Sequence, residues 1–550
     1  MRNLLASSAL LATAAILPAQ YSGTLQIVPA GGSGVFTTFT QAVNALFVSG
    51  VNGPVTVLVH PGTYNESVLV PPIPGASPTN TVTFKALLGR GTVQITGNGG
   101  DTFALVGVSF RRNSSVGFED LDFVSGPGFA ISGTTNVENV SVTGCSFGPE
   151  HRNNASGEFR HALIVSENSG TEAGWKLRNN RFTLPSYTNR TNYGIYLSNG
   201  GGWDISGNSF DLNGVTHALY LINQNRRLDR IWNNTFTGNL RQSTSTSASN
   251  QSVIKVDVSN YDNDIAFNSF LVNVPGAAGC CIAASGISGT NPALNRIRGN
   301  IFSMTGPGTC IVMSAATNPL VSDNNIFWAP TGEVARQGAS TPGFATLAAW
   351  QTAANVDLAS QQVDPFYTNS TTAPFDLRPI LISTAKDQGG APLAFVVDDL
   401  AGRLRDPLPD CGAYEMSGFA YYGQGCAGTG SLVPAIGSSG LVAVGSTNFS
   451  VDLSNSPANT LAFLVGGNSR TTSGATTLPF DLGGGCSVLA APVALVGRVT
   501  SATGTASVAL SIPPNPALSG TDIFFQYLVT DAGSPSPYGI TSSPGGALQL

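Results

Sequence analysis

Charged residues recur at a fixed distance from a repeated phenylalanine in this 550-residue chain. Six residues before successive phenylalanines stand, in chain order, Lys176, Asp204, Arg230, Asp264 and Arg296. Guanidinium and ammonium groups can hold the carboxylates or sulfates of an acidic sugar through charge-assisted hydrogen bonds. Opposite charges on neighbouring strands can equally pair with one another and fix the strand register. Both interpretations place the five residues on one outward face.

A second set of side chains stands four residues before the same phenylalanines and falls on the same face, because side chains of a strand alternate with period two. Within it, Trp232 could stack against a sugar ring, as aromatic side chains with one exposed face can. The candidates for catalysis on this face are Lys176, Arg178 and Arg230. The candidates for substrate binding are Trp232, Asp204, Asp264, Arg296 and Arg298.

Catalysis would need more than this face offers. A lyase needs a cation, often calcium held by clustered carboxylates, and a base to remove a proton. Arg230 separates Asp204 from Asp264, so no calcium cluster is expected there. The same arginine favours the ionised form of both carboxylates, whereas a glycosidase must keep one protonated. We expect no cofactor, with calcium possible only if the protein is a lyase.

Histidine and tyrosine residues provide two further candidate sites. His151 and His161 flank the charged insertion "EHRNNASGEFRH", and His217 shares a predicted column with His161. His161 and His217 are therefore candidates for catalysis, although a solvated loop or a turn explains them equally well. Tyr196 and Tyr220 should stack on a second sheet, where they either bind sugar or pack beneath a loop.

The phenylalanines belong to a repeat that must position these residues. Their spacing is 24 to 35 residues, and between them recur phrases of alternating aliphatic residues such as "YGIYL" at 193–197. Two short strands per repeat cannot close a core alone, but stacked coils can. The pattern predicts an all-β chain with a right-handed parallel β-helix. Six of the phenylalanines follow an asparagine by two positions, at Asn180, Asn208, Asn234, Asn268, Asn300 and Asn325.

Stacked coils predict which residues lie above one another. The asparagines should form a ladder of side-chain amides at a turn, and the phenylalanines one internal column. Short helices over 36–48 and 344–354 should cover the ends of the stack, because open coils expose unpaired strand edges. A second internal column should contain Leu163, Ile195, Leu219, Ile254, Ile282 and Ile311.

Bulk composition limits the function classes. Only 10% of the residues are charged, which disfavours amphipathic helices, and the net charge of −6 without a basic stripe argues against nucleic acid as a partner. The opening "MRNLLASSALLATAAILPAQ" predicts a signal peptide at 1–19, and no later segment is apolar enough to span a membrane. Seven cysteines in an exported chain permit disulfides but leave one unpaired.

Two longer stretches resemble a known family. The stretch "GPVTVLVHPGTYNESVLVPPIPGASPTNTVTFKA" at 53–86 resembles the opening coils of secreted bacterial right-handed β-helix proteins of the pectate-lyase-like superfamily. The stretch "VDDLAGRLRDPLPDCGAYE" at 397–415 resembles the segment that closes many of these helices. The resemblance implies the fold over about residues 25–418, in a superfamily that mixes lyases, hydrolases and adhesins. "GTYNE" at 62–66 is also similar to the opening motif of pectin methylesterases, whose later motifs have no counterpart here, so esterase activity is not expected.

The chain changes character after Gly418. Residues 421–550 contain no Lys and no Glu, and short apolar runs are broken by Gly, Pro and Ser, which predicts a β-sandwich. "YYGQGCAGTGSL" and "DLGGGCSVL" resemble C-terminal modules of secreted planctomycete-type proteins, and with that resemblance we expect a Cys426–Cys486 disulfide. The pairing of Cys145, Cys280, Cys281, Cys310 and Cys411 stays open, although Cys281 and Cys310 share a column.

These observations predict a signal peptide at 1–19, a β-helix with an N-terminal cap at 20–418 and a β-sandwich at 421–550. No complete catalytic motif is present. We therefore expect a secreted or cell-surface protein that binds an extracellular polysaccharide or a cell-envelope component without catalysis. The alternative is a polysaccharide lyase or glycoside hydrolase that acts on an acidic polysaccharide along the outer face of the β-helix.

Overall fold

The computed structural model describes residues 19–29, 36–99, 101–106, 115–126, 129–134, 137–151, 160–161, 163–167, 172–184, 191–223, 228–242, 251–258, 263–276, 279–285, 295–313, 320–338, 343–379, 383–402, 405, 408–415, 418–440, 442, 445–515, 518 and 521–549. The signal peptide predicted for 1–19 lies, except for Ala19, outside these residues. A search of the described helices finds none with the length and apolarity that a membrane span requires.

Parallel strands form three sheets, as expected for a right-handed parallel β-helix. The first sheet contains Tyr21–Ile27, Val51–Val59, Val82–Ala86, Val116–Glu119, Ser141–Thr143, Lys176–Arg178, Asp204–Ser206, Asp229–Trp232, Asn263–Ala266, Asn295–Arg298 and Leu320–Asp323. The second contains Gly62–Asn65, Val93–Thr96, Asp122–Gly126, Ser146–His151, Arg181–Thr183, Ser209–Val215, Thr235–Leu240, Ser269–Asn273, Ile301–Thr305, Ile326–Trp328 and Gln361–Gln362. The third contains Val68–Val70, Phe103–Val106, Ile131–Thr134, Ile164–Glu167, Thr191–Gly201, His217–Asn223, Gln251–Val258, Gly279–Ser285, Thr309–Met313 and Glu333–Gln337, with Arg160–His161 and Glu172–Ala173 also paired to Thr191–Gly201.

Both predicted helices are present. The first spans Phe39–Ser49 and begins at Thr38, whose side chain accepts the backbone N–H of Gln41 at 3.1 Å. The carboxylate of Glu66 accepts the N–H of Phe39 at 2.9 Å and so satisfies another unpaired donor of the first turn. Glu66 ends the "GTYNE" motif, which therefore has a structural role here. The second helix spans Leu347–Ala354 and is capped by Thr346.

By its internal packing the chain divides into two units, residues 1–204 with 219–225 and residues 205–218 with 226–550. Each unit has its own stack of buried phenylalanine rings. In the first unit the ring centroids of Phe147 lie 4.9 Å from Phe123 and 4.7 Å from Phe182. In the second, the successive centroid distances are 4.9, 4.9, 5.0 and 5.2 Å along Phe210, Phe236, Phe270, Phe302 and Phe327. The predicted phenylalanine column is confirmed within each unit.

The asparagine ladder is also confirmed. In the second unit each buried side-chain carbonyl accepts the side-chain N–H of the asparagine one coil earlier, at 2.9 to 3.1 Å. The carboxylate of Asp357 ends the ladder by accepting the amide of Asn325 at 3.0 Å. In the first unit Asn180 accepts the N–H of Cys145 at 2.9 Å. The ladder therefore gives the buried amides of successive coils their hydrogen-bond partners.

The aliphatic column differs from the prediction by one residue. Ile164, and not Leu163, stands opposite Ile195, while Ile254, Ile282 and Ile311 are aligned as expected. Leu163 is also fully buried, so both positions satisfy an apolar pattern. The phrase "HALIV" has two adjacent aliphatic residues, and a shift of one exchanges the faces of a strand without changing its composition.

A closing segment, residues 383–402, 405 and 408–415, follows the antiparallel pair Tyr367–Asn369 and Asp376–Pro379. Its backbone reaches the turns of the second unit, where Gly412 donates its N–H to the carbonyl of Gly299 at 2.7 Å. Arg405 is its anchor: Nη2 donates to the Asn233 side chain at 2.9 Å, and the guanidinium carbon lies 4.2 Å from the ring centroid of Phe267.

The C-terminal strands form a β-sandwich of two antiparallel sheets. One has Phe419–Tyr422, Ile540–Gln549, Asp522–Thr530, Leu461–Gly467 and Ala494–Val499 in spatial order, and the other Ala435–Ser439, Phe449–Ser454 and Ala506–Leu510. Phe449, Val451 and Tyr527 are fully buried in its core. Short hairpins join Thr472–Ser473 to Thr476–Thr477 and Phe480–Gly483 to Cys486–Val488.

The cysteines divide by location. Cys426 and Cys486 form a disulfide in the sandwich, with Cα atoms 4.9 Å apart. The other five, Cys145, Cys280, Cys281, Cys310 and Cys411, are reduced and buried. Burial raises the pKa of the Cys145 thiol to about 12, so this side chain is an apolar core group and not a nucleophile.

Candidate functional site

The outward face of the first sheet carries the charged columns predicted from the sequence. In the second unit the register places Arg230 opposite Asp264 and Asp264 opposite Arg296 on three neighbouring strands. The residues that alternate with them, Ile231 and Ile265, are fully buried. Since alternate side chains of a strand point to opposite faces, the charged residues lie on the outside of the coil.

Three arginines surround a single central carboxylate in this group. The Nε of Arg296 donates a hydrogen bond to Asp264, whose side chain is only 12% exposed. Arg298 lies two residues further along the same strand, on the same face. Burial lowers the pKa of the Arg298 guanidinium and Asp264 opposes that shift, so the side chain stays charged at neutral pH. The buried Nε of Arg230 has no hydrogen-bond partner among the described residues.

The group has a second carboxylate at its far end. Asp323 stands opposite Arg298 on the last strand of the sheet, and its Oδ1 accepts the backbone N–H groups of Asn324 and Ala359 at 2.9 and 2.7 Å. Three guanidinium groups therefore face two carboxylates, one of which is engaged by the turn. The face has an excess of positive charge, which suits an anionic ligand.

Trp232 does not provide the sugar-stacking platform that was expected. Its side chain is 7% exposed and packs against Val396 and Phe395 of the closing segment. The ring centroids of Trp232 and Phe395 are 5.3 Å apart in an edge-to-face arrangement. Phe395 also packs against the guanidinium of Arg230, 4.6 Å from its ring centroid. The strand period correctly placed Trp232 outside the coil, but a segment more than 160 residues later in the sequence covers it.

The first unit has its own charged residues on the first sheet. Lys176 is exposed, and Arg178 pairs with Asp204, with side chains 43% and 17% exposed. Lys85 donates to Glu119 at 2.6 Å, and this hydrogen bond raises the pKa of the lysine. The sequence analysis missed this pair, although Lys85 and Glu119 each follow a phenylalanine by one position, at Phe84 and Phe118. Both ion pairs join neighbouring strands, where opposite charges help to fix the register.

His217 is not placed for catalysis. It is 4% exposed, and its Nδ1 lies 2.9 Å from the hydroxyl of Ser252. Burial, assisted by the charge of Lys255, lowers the pKa of the imidazole to about 3. His217 is therefore a neutral core residue. His161 lies in the strand Arg160–His161, but its side chain and the insertion at 152–159 lie outside the described residues.

The tyrosine ladder packs inside the protein. Tyr196 is 3% exposed, and its ring centroid lies 5.2 Å from that of Tyr193 and 5.4 Å from that of Tyr220. These rings form one apolar cluster with Val165 and with half-buried neighbours. Of the two interpretations left open by the sequence, packing explains the arrangement, and Tyr196 cannot offer a ring face to a sugar.

Two structural features of the second unit were not predicted. The first is an inner amide pair, in which Asn263 donates to Asn295 at 2.9 Å, five residues before the main ladder. The recurring spacing in "NDIAFN" and "NRIRGN" was the available signal. The second is the buried ion pair between Arg405 and Glu415, with both side chains 2% exposed. Among the residues that the structure describes, no group of three or more His, Cys, Asp or Glu side chains is placed to hold a metal ion.

Comparisons with known proteins give distant structural neighbours. No family model and no curated protein matches the chain. A mannuronic-acid-specific polysaccharide family 6 lyase from human gut microbiota aligns over 58% of this chain and 83% of its own, at 12% identity and a TM-score of 0.26. Tailspike protein 2 of an Escherichia coli O157:H7 bacteriophage aligns over 96% of this chain and 68% of its own, at 8% identity and a TM-score of 0.28. The Dettilon tailspike protein aligns over 93% of this chain and 91% of its own, at 12% identity and a TM-score of 0.23. Likeness of this degree carries no argument about activity.

Proposed function

We propose that this protein is an exported β-helix that binds an acidic extracellular or cell-envelope polysaccharide along the outer face of the first sheet, without cleaving it. The observation that carries the proposal is the arrangement of Arg230, Arg296 and Arg298 around Asp264 on adjacent strands. Arg230 and Arg296 lie on the two strands that flank the Asp264 strand, about 9.6 Å apart, and Arg298 lies two residues from Arg296 on the same strand. This cluster of three guanidinium groups can bind more than one acid group of the same polymer chain.

The surroundings of the candidate catalytic side chains support binding without cleavage. Asp264 and Asp204 are each ion-paired with an arginine, as expected for charges that pair across neighbouring strands. His217 is buried and neutral, and Trp232 is covered. Lys176 is exposed to solvent, whereas lysines that act as catalytic bases are usually buried.

Affinity electrophoresis and calorimetry with polyuronates, a sulfated glycan and a neutral glucan test the proposal. We expect binding to the acidic polymers that weakens with added salt, and a loss of about tenfold or more in affinity for Arg296→Ala/Arg298→Ala. Arg498→Ala, which removes an exposed arginine of the sandwich, is the matched control and should bind normally. Equal retention of all polymers, or full affinity in the double variant, would contradict the proposal.

The same samples separate binding from catalysis. Unsaturated product absorbing near 235 nm, or new reducing ends, would identify a lyase or a hydrolase instead. A calcium series should be included, because a lyase of this kind can depend on that ion. If product forms and disappears in Lys176→Ala, the catalytic alternative replaces the binding proposal.

A further inference from the structure

The sandwich ends in an open strand with exposed apolar side chains. Among the strands that the structure describes, Ala494–Val499 is the last of the five-stranded sheet and pairs only with Leu461–Gly467 in it. Val493, Leu495 and Val499 are 73%, 60% and 68% exposed. The facing residue Leu461 is 40% exposed. Edge strands usually carry charged residues, prolines or bulges that block further pairing. This strand has no lysine and no proline, and its one charged residue is Arg498, which donates to the carbonyl of Gly497 at 3.0 Å.

The backbone of this strand offers hydrogen bonds at its outer edge. Thr500 donates its N–H to the carbonyl of Thr460, in line with the register that pairs Val499 with Leu461. Backbone groups in an antiparallel pair alternate between the two edges of a strand. The N–H and C=O groups of Leu495, Gly497 and Val499 therefore point away from the sheet.

The outward apolar side chains form a surface without charge. Leu495, Val499 and Leu461 lie on one face of the sheet, and Phe463 lies beside Gly497, where a Cβ would come within 3.6 Å of its ring. Arg498 belongs to the opposite face of the strand by alternation, and its Nη1 is bound to the carbonyl of Gly497 at 3.0 Å. Two copies of this surface would meet without bringing ionised groups together on the apolar side.

We propose that the strand Ala494–Val499 pairs antiparallel with the same strand of a second copy of this chain, so that two sandwiches share one continuous sheet. In the proposed register the two-fold axis passes between the two Gly497 residues, which sets the outward backbone groups of alternate residues opposite one another. Leu495 then faces Val499 of the second copy, and their side chains form cross-strand apolar pairs. A closed two-fold contact uses the same patch on both chains, which fits a strand that is complementary to itself.

Sedimentation equilibrium of the full chain tests this proposal over about 1 to 100 µM, the range in which a dimer of micromolar affinity dissociates. We expect a monomer–dimer equilibrium for the native sequence. Val499→Lys should weaken it by about tenfold or more, because it adds a charge at the apolar pair. Val48→Lys is the matched control, since this valine of the first helix is 70% exposed, and it should leave the dimer unchanged.

Two further variants report on the geometry of pairing. Gly497→Pro removes one outward N–H and should also abolish the dimer, with circular dichroism confirming the fold. Arg498→Gln should strengthen it, because the two arginines are diagonal neighbours across the predicted pair and repel each other. A monomer at all concentrations, or a dimer with the same dissociation constant in Val499→Lys, would overturn the proposal. If Gly497→Pro does not fold, the comparison of Val499→Lys with Val48→Lys tests the proposal by itself.

Discussion

At the scale of single residues, the closing segment depends on one buried ion pair. Arg405 Nη1 lies 3.0 Å from the Glu415 carboxylate, and Nη2 donates to the carbonyl of Gly412 at 2.7 Å. The backbone N–H of Glu415 is bound in turn by Asp399 at 2.9 Å. These residues belong to the sequence motif at 397–415 that resembles the closing stretch of other β-helices, so the motif is explained by architecture.

Removing one partner of this pair should be costly. We expect Glu415→Gln and Arg405→Met each to destabilise the second unit by about 3 to 5 kcal/mol, because the remaining charge is left buried and uncompensated. Urea denaturation measures the effect. The control is Arg378→Met, which breaks the more exposed pair with Asp376 and should cost no more than about 1 kcal/mol. Equal losses for buried and exposed pairs would contradict this account.

His217 should make the protein sensitive to mild acid. Its pKa falls from 6.5 to about 3 on folding, so the unfolded chain binds a proton below pH 6.5 that the folded chain does not. The contribution of His217 to the free energy of unfolding is therefore constant above pH 6.5 and falls as the pH decreases towards 3, by about 2 kcal/mol at pH 5. Denaturation midpoints at pH 7.5 and 5 measure this loss. His217→Asn should reduce it, while His60→Asn should keep it; a native midpoint that does not move would exclude the mechanism.

Sequence reasoning at this scale succeeded for side-chain direction and failed for burial. Period two placed Arg230, Asp264 and Trp232 outside the coil, which the register shows. It could not show that Phe395 covers Trp232, because the contact joins positions more than 160 residues apart and depends on the path of an irregular segment. The outward position of the charged residues could be anticipated, and the covering of Trp232 could not.

At the scale of elements, an asparagine that recurs once per coil in the sequence forms a continuous hydrogen-bonded column in the structure. Asn268 accepts two N–H groups from Asn234 and donates to the backbone carbonyls of Ile231 and Ala266 at 2.9 and 3.1 Å. All these groups are buried, so each must find a partner within the protein. The repeat was predictable because equivalent turns impose the same requirement on every coil, whatever the loop length between them.

Replacing one asparagine of the ladder should therefore lower the free energy of unfolding by more than the loss of a single hydrogen bond would. Asn268→Ala leaves buried donors and acceptors on both neighbouring coils without partners, and we expect a loss of about 3 to 5 kcal/mol. Asn273→Ala is the control, because this residue bonds to Asn239 at 3.0 Å in an exposed position and should cost less than about 1 kcal/mol. Thermal unfolding of both variants measures the difference, and similar midpoints would argue against the ladder as a source of stability.

At the scale of the whole molecule, the second unit contains two architectures joined through the closing segment. Arg470 of the sandwich donates to the carbonyls of Ala401 and Gly402 at 2.9 and 3.1 Å. Its guanidinium also lies 5.6 Å from the ring of Tyr422. The change of composition after Gly418 was enough to predict a separate β-sandwich. It gave no sign of Arg470, since this is one of only two arginines in residues 421–550 and neither belongs to a repeat.

Removing the disulfide measures how much it contributes to the stability of the sandwich. Cys426 and Cys486 enclose a chain segment of 60 residues, and opening such a loop should cost about 4 kcal/mol through the entropy of the unfolded state. We expect Cys426→Ser/Cys486→Ser to lower the midpoint of one calorimetric transition and to leave the β-helix transition in place. Arg470→Gln, which cuts the contact with the closing segment and keeps the disulfide, provides the comparison. The disulfide variant could instead lower the midpoints of both transitions, while Arg470→Gln moves the two midpoints further apart. That result would show that the sandwich stabilises the closing segment and, through this segment, the last coils of the β-helix. A single unchanged transition in both variants would show that the disulfide contributes nothing to the stability of the sandwich.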